Sequence, residues 1–393
     1  MVQPLAGVRV LELAQGVAGP WCGKLLAALG ADVVKVEPPG GDPARHTPPF
    51  YQDVPGPERS LLFLYLNTGK RSAVLDVTSP QGREALERLL GWADVVVESF
   101  GPREAAALRL DYATLAAAHP RLVVTSLTPF GQWGPYAAWQ ATDLVALALG
   151  GLLYICGDPE REPLAPGGEP ASYLAALSAF TGTLAALAWA EGTGEGQQVD
   201  VSAMEVAAFS QMYSAITYAY TGQLRRRQRD FTPLFEARDG QVGILYHRQA
   251  YWAGVCRLLE RPDLEHDPRF ATEAARRDHS AALRALVQEW VRDKSRAEVY
   301  HRGQALRVPV GYVCYPWDLL ESPQYRARGY FVEVEHPTHG RALYPGFPFR
   351  LGEGASPNPG RAPLLGEHTE AVVAGALGLE QGEATPLRQV GDG

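Results

Sequence analysis

The sequence is poor in cysteine and has neither a long apolar run nor an excess of basic residues. Its four cysteines are scattered along 393 residues without CxxC spacing or a nearby pair of histidines. This pattern predicts neither a zinc site nor a disulfide framework, so we expect no bound metal and a reducing compartment. No run reaches about 18 uninterrupted apolar residues, the length of a membrane span, and the first residues lack the basic segment of a secretory signal. We therefore expect a cytoplasmic protein without a membrane partner.

The charge balance argues against nucleic acid as a partner. Acidic residues outnumber basic ones, and the formal net charge is −8. Such a chain has no overall attraction to nucleic acid, although a single pocket can still be basic, so no nucleic-acid partner is expected. The length and the 46% share of hydrophobic residues are sufficient for a large core and for more than one domain.

Short apolar segments alternate with helical patterns in the first third of the chain. Each segment is rich in valine or leucine, and helical sequences such as GREALERLLGWA separate them. Alternation of this kind predicts an α/β fold with a mostly parallel sheet. The predicted strands are 8–13, 32–37, 72–77, 94–98 and 122–127.

The pattern changes after residue 143. Long helical stretches rich in alanine and leucine extend to residue 221, and a basic run, RRRQR, follows at 225–229. The next segment predicts a hairpin around Asp239 and Gly240, because this dipeptide favours tight turns between strands. The change in character indicates a second, smaller domain.

The loop after the first predicted strand invites comparison with dinucleotide-binding proteins. Glu37 ends the second strand about twenty residues after Gly16, a spacing suited to binding ribose hydroxyls. The loop lacks the G-x-G-x-x-G pattern, however, since only two residues separate Gly16 from Gly19. This argues against bound NAD, and a helix amino terminus without any ligand remains open.

Several segments resemble, in the same order, the signatures of the family III CoA-transferases. That family includes formyl-CoA and carnitine CoA-transferases and the α-methylacyl-CoA racemases. Each segment alone is a weak match, but their order and spacing across nearly the whole chain are specific. The matching segments are 4–13, 18–45, 66–86, 93–102, 119–136, 193–207 and 362–369.

The resemblance implies an unusual architecture. Members of this family form interlocked homodimers in which each chain is a ring. A Rossmann-like large domain is built from both ends of the chain, which corresponds here to 1–222 and 315–393. A smaller α+β domain corresponds to 223–314.

The resemblance also implies a reaction in which CoA passes from an acyl-CoA thioester to a carboxylic acid, with coenzyme A as substrate or ligand. An aspartate carboxylate of the enzyme is the nucleophile, and the reaction proceeds through enzyme-bound anhydride and thioester species. The motif that carries this aspartate matches 172–187 here, anchored by Gly182, and its first position is Ser172. The nucleophile is therefore replaced.

Two residues near this position have alternative interpretations. A serine hydroxyl is a poor nucleophile without an adjacent base, and Ser172 also suits the amino-terminal cap of the helix that follows. Glu169 lies three residues earlier on a loop rich in proline and glycine. It would supply a carboxylate if that loop folds inward, and otherwise it is a solvated acid.

The racemases of the family offer a further alternative. They pair the aspartate with a histidine that moves the proton next to the thioester. The matching place here is Thr142, followed by Asp143. Both racemase bases are therefore replaced, and an acyl-CoA racemase is less favoured than a CoA-transferase.

The resemblance assigns several residues to a CoA groove. Basic residues that meet the CoA phosphates in formyl-CoA transferases are replaced here, so nearby arginines such as Arg45 and Arg103 would have to bind phosphate from other positions. The residues assigned to CoA binding are Val17, Ala18, Leu75, Ser99, Phe100, Arg103 and Asp143.

Three functions follow from these observations. The first is a CoA-transferase in which an Asp-bearing partner subunit supplies the carboxylate missing at Ser172. The second is a homodimer that binds acyl-CoA without catalysis. The third is an active enzyme that uses Glu169 or another carboxylate. Exchange of labelled CoA between a thioester and a free acid separates them.

Overall fold

The structure is a computed structural model, and it describes residues 3–224, 227, 233–352 and 360–377. The chain forms two compact units. The larger contains Met1–Cys156, Leu164–Arg225 and Arg326–Gly393, and the smaller contains Gly157–Pro163 and Arg226–Tyr325. The basic run at 225–229 lies outside the described residues except for Arg227.

Strands and helices are numbered along the chain. The strands are β1 Arg9–Glu12, β2 Asp32–Glu37, β3 Arg71–Val74, β4 Val95–Glu98, β5 Val123–Thr128, β6 Gln198–Ser202, β7 Leu234–Ala237, β8 Gly240–Ile244, β9 Val310–Tyr312, β10 Phe331–His336 and β11 Gly340–Pro345. The helices are α1 Ala18–Ala28, α2 Leu61–Leu66, α3 Pro80–Trp92, α4 Pro102–Leu108, α5 Tyr112–Ala118, α6 Asp143–Leu149, α7 Pro170–Thr193, α8 Ala203–Phe209, α9 Met212–Thr221, α10 Trp252–Leu258, α11 Glu273–Asp278, α12 Ser280–Val291, α13 Arg296–Ala305, α14 Pro316–Glu321, α15 Pro323–Arg328 and α16 Thr369–Leu377.

A six-stranded parallel sheet forms the centre of the larger unit. Its order is β3-β2-β1-β4-β5-β6, and Val10 in β1 lies opposite Val33 on one side and Val95 on the other. The first five strands are those predicted from the alternating pattern, so the mixed α/β fold is confirmed. β6 is not among the predicted strands, although QVDVS alternates polar and apolar residues, the pattern of a strand with one exposed face.

Helices cover both faces of this sheet. On one face α1 and α7 pack together and α7 packs against β5, around buried residues such as Cys22 and Phe180. On the other face α3 packs with α16, around Leu86 and Val96. Within the described chain, α7 alone has the length and hydropathy to cross a bilayer. Core helices of soluble proteins share these properties, and α7 lies against the sheet.

The smaller unit has a core of its own. Strands β7, β8 and β9 form an antiparallel sheet, against which α12 and α13 pack. The turn between β7 and β8 pairs Ala237 with Gly240, which confirms the predicted hairpin. Phe235, Trp252 and Val287 lie in the buried cluster of this unit.

A network of buried charges joins β1 to β2 in the larger unit. Lys35 Nζ lies 3.0 Å from Glu12 Oε1 and 2.7 Å from Asp42 Oδ2, and Lys70 Nζ lies 2.8 Å from Glu12 Oε2. All four side chains are fully buried. Burial works against the charge on Lys35, but the carboxylates of Glu12 and Asp42 outweigh it and raise the pKa of Lys35. The ammonium therefore stays charged inside the core.

Removing the charge of Lys35 should cost far more stability than removing an exposed charge. In Lys35→Met, Glu12 and Asp42 lose their shared cation inside the core, and we expect the free energy of unfolding to fall by about 3–5 kcal/mol. In the control Arg71→Met, the lost pair with Asp32 is partly exposed, and we expect a fall of less than about 1 kcal/mol. Equilibrium unfolding in urea measures both, and equal losses would contradict the importance of the buried network.

Candidate functional site

The largest concentration of predicted site residues lies where the strand order reverses. Strands β2 and β4 lie on opposite sides of β1, so the loops after β1 and β4 separate and leave a crevice at the carboxyl ends of the strands. A cavity of about 200 Å³ occupies this place. The residues that line it include Gln15, Val17, Ala18, Ser99, Thr128, Asp143 and Ser172.

The loop from β1 to α1 forms one wall of the cavity. The backbone N–H of Gln15 donates to Oγ of Ser99 at 3.2 Å, which ties this loop to the one after β4. A Cβ at Gly19 would lie 2.1 Å from the Cβ of Ala14, so α1 approaches the loop this closely only because residue 19 is glycine. No side chain of a described residue caps α1. The first amides of the helix, apart from Pro20, which has no N–H, are therefore available to a carbonyl or an anion in the cavity.

Ser172 lies within the first turn of α7. The helix begins at Pro170, and Glu169 occupies the position before it, so the prediction that Ser172 caps the helix is wrong. The backbone N–H of Ser172 instead donates to Oδ1 of Asp143 at 2.7 Å. Because Asp143 belongs to α6, one helix supplies the carboxylate that satisfies the amino terminus of another.

Glu169 places a second carboxyl group beside Ser172. Its backbone adopts the left-handed conformation, with φ 54° and ψ 53°, and turns the chain into α7. Burial raises the pKa of the Glu169 carboxyl, the charge of Asp143 raises it further, and a hydrogen bond with Ser172 opposes the rise. The side chain stays accessible to solvent. Two carboxyl groups therefore flank the serine, and the chemical role assigned to Glu169 stays a prediction.

Three residues assigned to CoA binding lie outside the wall of this cavity. Leu75 and Phe100 pack in the core cluster on the opposite face of the sheet. Arg103 is exposed on α4 and forms no ion pair with a described residue. Arg45, also considered as a phosphate ligand, is fully buried and binds Glu37 at 2.7 Å, so its guanidinium is already neutralised.

Comparison with known proteins decides the family. The model of "CoA-transferase family III" matches residues 5–369. The chain belongs to this family. The resemblance stated from the sequence is thereby confirmed, and a family III CoA-transferase acts on acyl-CoA thioesters.

The relatives of this family III CoA-transferase extend over nearly its whole length. It is 34% identical to a subunit of the succinyl-CoA:(R)-benzylsuccinate CoA-transferase of Thauera aromatica, over 95% of this chain and 94% of that protein. It is 31% identical to the succinate–glutarate CoA-transferase of Agrobacterium fabrum, over 98% of both chains. The crystal structure of a CaiB/BaiF family protein from Brucella suis matches with a TM-score of 0.85 and 34% identity, covering 96% of this chain and all of that one.

Sequence reasoning missed Glu98, the last residue of β4. Its side chain is buried and accepts a hydrogen bond from the backbone N–H of Phe100 at 2.6 Å. Burial raises the pKa of Glu98 to about 7, although hydrogen bonds from Ser126 and Phe100 oppose the rise. Glu98 and Gln132 also line a separate cavity of about 280 Å³. Glu98 lies in the matching segment 93–102, but a glutamate at the end of a strand is usually solvated, so its burial could not be predicted.

The carboxyl group of Glu98 should make the stability of the family III CoA-transferase depend on pH. Its pKa is about 7 in the folded chain against the usual 4.5, so the folded state binds more protons between these values and stability falls as pH rises through this range. Glu98→Gln removes the ionisation. We expect the wild type to lose about 3 kcal/mol relative to this variant from the lower to the upper end of the range.

Urea unfolding at a series of pH values measures this difference. Glu87→Gln, which removes an exposed carboxyl group from α3, is the matched control and should show no such pH-dependent difference. A constant difference between wild type and Glu98→Gln across the range would contradict the raised pKa.

Proposed function

We propose that this chain takes part in CoA transfer between two carboxylic acids as the acyl-CoA-binding subunit of an assembly whose partner subunit supplies the nucleophilic aspartate. The observation that carries the proposal is Ser172, which lines the cavity at the first position of the nucleophile's motif and has no carboxylate. A relative that is 34% identical is named as a subunit of a CoA-transferase, which supports an assembly of unlike chains. The interlocked dimer implied by the family would then pair two different subunits.

The chemistry requires a carboxylate at this place. An attacking carboxylate forms a bond to the thioester carbonyl, the CoA thiolate leaves, and the product is a mixed anhydride that a thiolate can attack in turn. A hydroxyl that attacks the same carbonyl gives an ester, which a thiolate attacks far less readily. The first turn of a 24-residue helix also places the carboxylate at the positive end of the helix dipole, where a negative charge is stabilised. Ser172 occupies this place without the charge.

Binding of the thioester draws on groups that this chain retains. The uncapped first turn of α1 offers backbone N–H groups to the thioester carbonyl beside Val17 and Ala18. The loops after β1 and β4, joined by the hydrogen bond between Gln15 and Ser99, hold that turn in place. The acyl-CoA is therefore bound largely through backbone groups. The replacement of aspartate by Ser172 does not alter these groups.

A second candidate assigns the reaction to Glu169 in the isolated chain. Its carboxyl group contacts Ser172, and both burial and Asp143 raise its pKa. A raised pKa makes a carboxylate more basic and therefore more nucleophilic toward a thioester. Its exposure to solvent weighs against this candidate, because water competes for the activated acyl group.

Exchange of labelled CoA between an acyl-CoA and its free acid tests the proposal. We expect the isolated wild type to bind acyl-CoA without exchange and Ser172→Asp to raise the exchange rate by at least about tenfold, or 1.4 kcal/mol in activation free energy. Ser172→Asn is the control, because the asparagine side chain matches aspartate in size but has no charge. It should remain at the wild-type rate. Equal rates for Ser172→Asp and Ser172→Asn would contradict the need for a carboxylate at this position.

Two further variants distinguish catalysis by Glu169, the second candidate, from the proposed function. Exchange by the isolated wild type that survives in Ser172→Ala and disappears in Glu169→Gln would assign the reaction to Glu169. Glu162→Gln removes an exposed carboxylate from the preceding segment and is the matched control. Binding of acyl-CoA without exchange, both alone and with an Asp-bearing relative, would overturn the proposal in favour of a non-catalytic binding protein.

A further inference from the structure

A buried lysine and three aromatic rings form a cluster in the larger unit, which we call the Lys24 cluster. Its members are Trp21, Lys24, Tyr65 and Tyr173. Lys24 is only 6% exposed, and its Nζ donates to the backbone oxygen of Tyr65 at 2.6 Å. The same Nζ lies 3.7 Å from the centre of the Tyr65 ring and 4.9 Å from that of Trp21. The three rings are partly exposed, so the cluster has a buried cation under an aromatic surface.

The cluster is connected along two helices to residues that line the cavity, although none of its own four residues lines it. Trp21 follows Ala18 by one helical turn on α1, and Ala18 lines the cavity. Tyr173 is the residue after Ser172, and its ring contacts that of Trp21 edge-on with centroids 5.2 Å apart. The Lys24 cluster therefore begins one residue from the position of the nucleophile and extends along α1.

Lys24 differs from the other lysines of the chain because no described residue gives it a carboxylate partner. Lys35 and Lys70 bind buried carboxylates, and Lys294 binds Asp293 at 3.0 Å. Lys24 forms no ion pair with any described residue. Burial, together with the charge of Lys70, lowers the pKa of Lys24 to about 7. An anion that binds beside Lys24 would stabilise the buried positive charge. It would also accept hydrogen bonds from the ammonium N–H groups that do not bind Tyr65.

We propose that the Lys24 cluster binds the distal carboxylate of a dicarboxylic acyl group. This inference rests on the proposed CoA transfer and adds its substrate class. The carboxyl group carried as the thioester lies at the Ser172 end, the second carboxylate pairs with Lys24, and the hydrocarbon between them packs on the rings of Trp21 and Tyr173. A monocarboxylic acyl group of the same length leaves the cation without a partner.

Equilibrium binding of CoA thioesters tests this inference without requiring turnover. Succinyl-CoA and glutaryl-CoA are compared by calorimetry with butyryl-CoA and valeryl-CoA, which have the same chain lengths without the second carboxylate. We expect wild type to bind at least one dicarboxylic thioester about tenfold or more tightly than its monocarboxylic counterpart, which corresponds to 1.4 kcal/mol. Lys24→Met should abolish this preference while leaving the affinity for the monocarboxylic thioesters unchanged.

Lys294 provides a matched control in the smaller unit. Its Nζ also lies over a tryptophan ring, 4.7 Å from the centre of Trp290, and donates to the backbone oxygen of that residue at 2.7 Å. Lys294→Met should leave both affinities unchanged. Lys24→Arg restores a cation and should keep part of the preference, which a purely structural role of Lys24 would not predict.

The outcomes distinguish this inference from the proposed function. Equal affinity of wild type for dicarboxylic and monocarboxylic thioesters would overturn the inference and leave acyl-CoA binding intact. Failure to bind any of the four thioesters would overturn the proposed function and the inference with it. If Lys24→Met does not fold, the comparison of thioesters on the wild type still tests the substrate class, and Lys24→Arg tests the assignment to Lys24.

Discussion

The buried ammonium of Lys35 is the interaction on which the arrangement of the cavity depends. It donates to the backbone oxygen of Ala14 at 2.9 Å and pairs with Glu12 and Asp42. Ala14 lies in the loop from β1 to α1, and Asp42 accepts a hydrogen bond from the backbone N–H of Gly16 in the same loop at 3.2 Å. One charge therefore holds the end of β1, the loop that lines the cavity and the segment after β2. Such a centre tolerates little change, because loss of Lys35 leaves Asp42 without its cation and Glu12 with Lys70 alone.

The sheet could be predicted where its strands are rich in valine and leucine. Strands of a parallel sheet that are covered on both faces are largely apolar, and the segments 32–37 and 122–127 each carry three or more such residues. β6 has a different pattern because it is an edge strand with a single neighbour, β5. Three of its five positions are polar, so it lacks the valine-rich run that marks the other strands.

The site was predictable only where a motif fixes a position. Spacing from Gly182 assigns Ser172, and the structure places it at the cavity with Val17, Ala18, Ser99 and Asp143. The local pattern did not predict the start of α7. It favours Ser172 as the cap, whereas the helix begins at Pro170. It also gave no sign of Lys24, whose properties arise from Tyr65 and other residues far away in the chain. The burial of Lys24 and its lack of a described counter-ion arise only in the folded structure. They could not be predicted from a short stretch of sequence.

Asp143 gives residue 172 a connection to the molecular surface. The carboxylate that holds the backbone of Ser172 is the first residue of α6, and the same short helix exposes Leu144 and Leu149 by about half. A chain that packs on those two leucines contacts α6, a helix of two turns. The first residue of this helix, Asp143, accepts the hydrogen bond from the backbone N–H of Ser172. In the proposed assembly, a partner that packs on these leucines would contact the same helix that holds the backbone of residue 172, so the interface and the site would share one element.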